Sequence, residues 1–228
     1  MGKVTVYIIR HGETQENREG IMQGQLDTEL NAAGIEQAQL TANALENVRF
    51  TAAHSSDLRR AVKTAEAILA KHPGVALQTH AALRERHMGS MQGQGVAAWR
   101  GDLPGDMESA VAFMQRADQW WKDTIVRCAA RAGPGNAGGG AAAEESPGET
   151  VLVVSHGGLI HVMLQNLIES RKLQLAEGVH VGRYRFPNAS VTVVEVGQDG
   201  KGTVLLFADR THLDVELVEE NVDDVGKE

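Results

Sequence analysis

Two apolar runs decide most of what this chain can become. Residues 4–9 (VTVYII) and 149–155 (ETVLVVS) are short, rich in β-branched side chains and continuous rather than alternating. A strand of this kind is buried on both faces, as in a parallel sheet covered by helices. Each run stops, with no turn residue, on a His-Gly pair: Arg10-His11-Gly12 in the first, Ser155-His156-Gly157 in the second. Parallel strands of one sheet end on one edge, and open α/β sheets bind ligands in the crevice beyond it. His11 and His156 are therefore expected to face one crevice, with Arg10 beside them. A lone Arg-His pair would equally suit a solvated strand end, so the rest of the chain has to decide.

That remainder alternates helix and strand signals. Asn31 can cap a helix over 32–47 with Ile35, Ala38, Ala42 and Leu45 inward. Short strands are expected over 51–54 and 75–78, separated by a helix that opens on Ser55-Ser56-Asp57 and runs to about residue 71. A long helix over 107–131 has Val111, Met114, Trp121, Ile125 and Cys128 as its inward set. A helix over 159–170 follows the second apolar run, and strands over 190–196 and 203–208 flank a glycine turn. The fold class is α/β: a three-layer sandwich with a mainly parallel central sheet, one antiparallel edge, and helices on both sides. Residues 1–213 form a single domain on this reading. The glycine-rich stretch 133–148 is a flexible surface loop within it, and 214–228 is an acidic tail.

Charge and composition remove several function classes. The net charge is −8, and the tail, with seven acidic residues against one lysine, carries −6 of it. A near-neutral body lacks the basic stripe of a nucleic-acid binder. No apolar run approaches the roughly 20 residues that cross a bilayer, and no signal-peptide pattern is present, so no membrane partner is expected. The single cysteine, Cys128, fits a reducing, cytoplasmic setting. The histidines show no metal-ligand spacing such as HxH or HExxH, and no metal is expected. Oligomeric state has no signature in the sequence.

A further basic group comes from Arg59 and Arg60, in the first turn of the helix after Ser55-Ser56-Asp57. Free N–H groups there favour an anion, while the helix dipole disfavours cations, so an arginine in that turn needs an anionic partner. Imidazoles and guanidiniums around a helix N-terminus suit a phosphate.

Four motifs in order carry a resemblance: RHGETxxN (residues 10–17), SSDLRRAxxTA (55–65), LRE (83–85) and SHGG (155–158). Together they resemble the histidine phosphatase superfamily, in the branch of cofactor-dependent phosphoglycerate mutases, fructose-2,6-bisphosphatases and broad-specificity phosphatases. The resemblance implies a phosphoglycerate mutase-like fold and a metal-independent phosphomonoesterase acting on a small phosphorylated metabolite. It implies that His11 is the nucleophile and forms a phosphohistidine. Arg10, Arg59 and His156 would bind the transferred group, with Gly157 beside them. Asn17, Gln23 and Gly24 would line the substrate side, and Glu85 would give the leaving oxygen its proton. The cations supply the positive charge, so no cofactor is expected. Mutase or fructose-2,6-bisphosphatase activity is the nearest alternative. Arg84 and Arg86 could form a second anion site for the latter, while the acidic segment 93–113 speaks against a mutase's carboxylate clamp. A non-catalytic, partner-binding relative is the alternative of another class.

Overall fold

The computed structural model describes residues 2–95, 104–132, 148–181 and 186–213. The expectations for the 133–148 loop and the 214–228 tail fall, apart from Gly148, outside them. The central sheet contains β1 (Lys3–Arg10), β2 (Ala52–Ser56), β3 (Leu77–His80), β4 (Glu149–Ser155), β5 (Leu173–Leu175), β6 (Val191–Gly197) and β7 (Gly202–Asp209). Their order is β3-β2-β4-β1-β6-β7-β5. The two apolar runs are adjacent and parallel, with Arg10 opposite Ser155. The pairings of β6 with β1 and with β7 are antiparallel, so the sheet is mainly parallel with its antiparallel part on one side.

Both faces of β1 and β4 are covered, which explains their unbroken apolar sequence. Val4, Val6, Ile8, Val151 and Val153 join one core with Phe113, Trp121 and Leu159. Ile9, Leu152 and Val154 join a second core with Ala42, Ala61, Ala65 and Ile68. Three layers result. Helices α2 (Ala32–Ala44) and α3 (Arg59–Leu69) lie on one face. On the other lie α4 (Ala110–Trp121), continued by a π-helical turn (Lys122–Val126) and α5 (Arg127–Arg131), and α6 (Gly157–Glu169). A short helix, α1 (Gln15–Glu19), follows β1 directly, and its N-cap Thr14 exchanges hydrogen bonds with Asn17.

Two expected helix faces are corrected. Val111 and Met114 are 59% and 36% exposed, while Phe113, Ala117, Trp120 and Trp121 point inward. The segment carries two competing apolar stripes, and the one with the larger aromatic area is buried. Ile35 is likewise 60% exposed, and α2 instead buries Gln37 and Thr41 beside Ala38 and Ala42. Strand β5 had no counterpart in the sequence reading, being three residues long at the sheet's edge.

Candidate active site

His11 and His156 leave adjacent strands one residue beyond the paired Arg10 and Ser155, so the sheet sets them side by side. Their rings lie 5.1 Å apart, and both side chains are buried. His11 is held at both nitrogens. Nδ1 lies 2.7 Å from the Gly12 carbonyl, which can only accept, so Nδ1 carries the proton. Arg60 Nε donates to His11 Nε2 at 3.3 Å, which requires a lone pair there. The ring is thus the neutral tautomer with Nε2 as its free base. Burial, and then the charges of Arg60 and Arg10, hold His11 well below the usual histidine range. His156 is lowered for the same reasons, burial first. Its Nε2 bonds Ser56 Oγ at 2.8 Å, while its buried Nδ1 has no hydrogen-bond partner among the described residues.

The backbone around His11 is fixed from several directions. Its N–H donates to Ser155, its carbonyl accepts from Asn188 Nδ2 at 2.9 Å, and Gly12 N–H donates to Thr64 Oγ1 at 3.0 Å. A Cβ on Gly12 would collide with the Gly34 carbonyl of α2, so only glycine lets that helix approach. Arg10 bends back to give Nη1 to the Phe186 carbonyl at 2.6 Å, and Gly157 leaves room for its guanidinium.

The structure replaces Arg59 with Arg60 in the inner cluster. Arg59 is exposed and binds Asp27 and Glu29 through Nε and Nη1. The anion at the first turn of α3 is therefore the protein's own: Asp27 Oδ1 accepts the Arg59 N–H at 2.7 Å, where Leu58 offers no side-chain cap. Arg60 lies one position on, in line with Thr64 and Ile68 on the buried face of α3. Besides His11 it reaches the carbonyls of Leu26 (2.6 Å) and Gly24 (2.9 Å), tying the loop over 20–31 to the site.

The other expected residues divide by what they touch. Gln23 is buried, its Oε1 accepting from Thr28 Oγ1, and Gly24 has φ 52°. Asn17 is also buried, and its Oδ1 accepts from Thr14 N–H and from Asn188. Glu85 meets the N-terminus of α6: its Oε2 accepts from Gly158 N–H at 2.8 Å and its Oε1 from Arg86 N–H at 2.7 Å. Consecutive residues of α6 thus carry the Arg10 contact and the Glu85 contact. Arg84 is engaged elsewhere, bidentate on Asp57 at 2.7 Å, and Arg86 Nε donates to the Glu108 carbonyl. Of the acidic segment 93–113, residues 96–103 lie outside the described residues. Ser56, Thr64 and Asn188 join the site without having been expected from the sequence. Of these, Ser56 and Thr64 lie inside the quoted SSDLRRAxxTA motif.

Among the described residues, no three His, Cys, Asp or Glu side chains converge as metal ligands. Nor is any helix among them long and apolar enough to cross a membrane. The arrangement can present a neutral imidazole base to an electrophile, surrounded by fixed positive charge, with a carboxyl close to the clamp.

Comparison with known proteins bears on what that arrangement is. Phosphoglycerate mutase-like protein 4 of Arabidopsis thaliana is 32% identical to this chain, over 92% of it and 86% of that protein. The metal-independent phosphoserine phosphatase of the same plant is 30% identical over 91% of this chain and 82% of its own. The solved mycobacterial glucosyl-3-phosphoglycerate phosphatase superposes with a TM-score of 0.69 at 28% identity, over 91% of this chain and 100% of that one. Residues 6–209 match the histidine phosphatase superfamily, branch 1. The chain belongs to that superfamily.

Proposed function

We propose that the protein is a metal-independent phosphomonoesterase that hydrolyses small phosphorylated metabolites through a phosphohistidine on His11. The observation that carries this reading is the His11 tautomer, whose Nε2 lone pair faces the Arg60 guanidinium inside a buried cationic cluster. The phosphatase names of relatives in the same superfamily support it. In the first half-reaction Nε2 attacks phosphorus, the bond to the leaving oxygen breaks, and Glu85 gives that oxygen its proton. In the second, Glu85 takes a proton from water, the water oxygen attacks phosphorus, and inorganic phosphate leaves neutral His11 behind. Arg10, Arg60 and His156 hold the phosphoryl oxygens throughout, the unpartnered His156 Nδ1 being available for one of them. Gly157 admits the Arg10 guanidinium, and Gln23, Gly24 and Asn17 shape and hold the loop on the substrate side. The bidentate tie of Arg84 to Asp57 removes one of the two cations that a second anion site would use, which favours a monophosphate. We read residues 1–213 as one catalytic domain, and place it in the cytoplasm, where a thiol such as Cys128 stays reduced.

The test is hydrolysis of p-nitrophenyl phosphate in EDTA by the wild type and by His11→Ala. Turnover that survives the chelator and disappears in the variant is expected. Turnover that needs added metal, or equal rates for both proteins, would sink the proposal. A screen across sugar phosphates, phosphoglycerates, nucleotides and phosphoserine then reads the leaving group.

A further inference from the structure

A carboxyl that donates and retrieves a proton must be held still, yet Glu85 lies in a stretch with little regular structure of its own. It sits between two short 3-10 turns, Ala81–Leu83 and Gly89–Met91. One side chain of α4 spans the gap. Arg116 Nη1 donates to the carbonyls of Ala82 and Arg84 at 2.7 and 2.8 Å, and Nη2 reaches the carbonyl of Glu85 at 3.3 Å. The Glu108 carboxylate receives Nε at 3.0 Å and Nη2 at 2.9 Å. Glu108 then grips the same segment from its far side, accepting from His87 N–H at 3.2 Å and, through its carbonyl, from Arg86 Nε at 2.7 Å. Residues 82, 84, 85, 86 and 87 are thus all fastened to one ion pair.

Only an arginine can do this. Its planar fork offers five donors in fixed directions and no acceptor, whereas lysine offers three on a single atom. The Phe113 ring, 5.1 Å from the guanidinium carbon, supports the side chain from its own helix. The guanidinium gives its hydrogen bonds to backbone and carboxylate, and its charge is still felt at His156.

We infer that Arg116 is the positioning residue of the proton-transfer step, fixing the main chain from which the Glu85 carboxyl reaches the leaving oxygen. The inference rests on the proposed role of Glu85 as acid and adds what holds that acid in place. The two carboxyl oxygens are located by Arg86 N–H and Gly158 N–H. The first donor belongs to the fastened segment and the second to α6, so release of the segment from Arg116 misaligns them.

The consequence is a leaving-group effect. A nitrophenolate departs without a proton, whereas an alkoxide needs one as its bond to phosphorus breaks. A misplaced acid therefore harms alkyl esters selectively, while general loss of structure harms both. The experiment compares kcat/KM for p-nitrophenyl phosphate and 2-glycerophosphate in wild type, Arg116→Met, Arg116→Lys and Glu85→Gln. General acid catalysis contributes about 10²–10⁴-fold, so Arg116→Met is expected to lower the alkyl ester at least about tenfold more than the aryl ester. Arg116→Lys should fall between, and Glu85→Gln should show the largest discrimination. If Arg116→Met fails to fold, Arg116→Lys and Glu108→Gln carry the same comparison. Equal losses on both esters in the Arg116 variants, with Glu85→Gln still discriminating, would overturn the inference and leave the proposed function intact. No discrimination by Glu85→Gln would remove the acid assignment itself, and the inference with it.

Discussion

Adjacent arginines with opposite fates make the sharpest mutational comparison. Arg60→Met removes the hydrogen bond to His11 Nε2 and uncovers the carbonyls of Gly24 and Leu26. A buried carbonyl without a donor costs about 1–3 kcal/mol; Gly24 is buried and Leu26 half-buried, where water offsets part of the cost, so a loss of about 2–4 kcal/mol in stability is expected. The chemical loss is larger. Removing one preorganised donor costs about 10²–10³ in rate, and an arginine facing a transferring phosphoryl group about 10³–10⁵. We expect kcat/KM to fall about 10³-fold, measured on p-nitrophenyl phosphate with folding checked by circular dichroism. Arg59→Ala should behave differently. Its ion pairs to Asp27 and Glu29 join exposed side chains, worth about 0.2–1 kcal/mol, and kcat/KM should stay within about tenfold of wild type. Removing Arg60 also deletes the second-largest cause of the low His11 pKa, so the His11 titration should move up, as followed by NMR. If Arg59→Ala lost activity while Arg60→Met kept it, the inward assignment of Arg60 would be refuted.

Two further outcomes follow from the geometry. A Cβ on Gly158 would sit 2.5 Å from Glu85 Oε1, the far end of a flexible side chain, so Gly158→Ala should cost little stability yet displace the proposed acid, Glu85. Steady-state rates on an alkyl phosphate should drop while the thermal midpoint barely moves, and unchanged rates would contradict the contact. His54 is pulled from 6.5 to about 4, by burial first and then by His80, whose Nε2 lies 2.9 Å from its Nδ1. Below pH 6.5 the unfolded chain binds a proton that the folded chain refuses, so stability drains away between pH 6.5 and about 4. Urea midpoints should fall across that window, and His54→Gln should flatten the fall; an identical slope in the variant would count against it.

How much of this was legible in the sequence depended on what kind of signal each residue carried. The β1 and β4 runs announced themselves because burial on both faces leaves few polar positions, and their shared edge put His11 beside His156. The choice between Arg59 and Arg60 was also readable, since Arg60 repeats with Thr64 and Ile68 at the helical period along the buried face. The resemblance nevertheless places the role on Arg59, because a motif match does not weigh which face of the helix each of two adjacent arginines occupies. Asp27 as the cap of α3 was not readable: it acts across 32 positions through a loop conformation that no local pattern encodes. Arg116 was hidden for the same reason, its partners being mostly backbone carbonyls, which look alike in every sequence. Gln37 was hidden by convention, as a polar residue on the inner face of α2 that serves Glu13 N–H rather than solvent.

The central claim is that phosphorus passes through His11 Nε2. Rapid acid-free quenching of the enzyme with ³²P-labelled phosphate ester during turnover, followed by peptide mapping, tests it directly. A base-stable, acid-labile label on the peptide containing His11 is expected. Label on a serine or aspartate, or turnover with no labelled enzyme at any quench time, would contradict it.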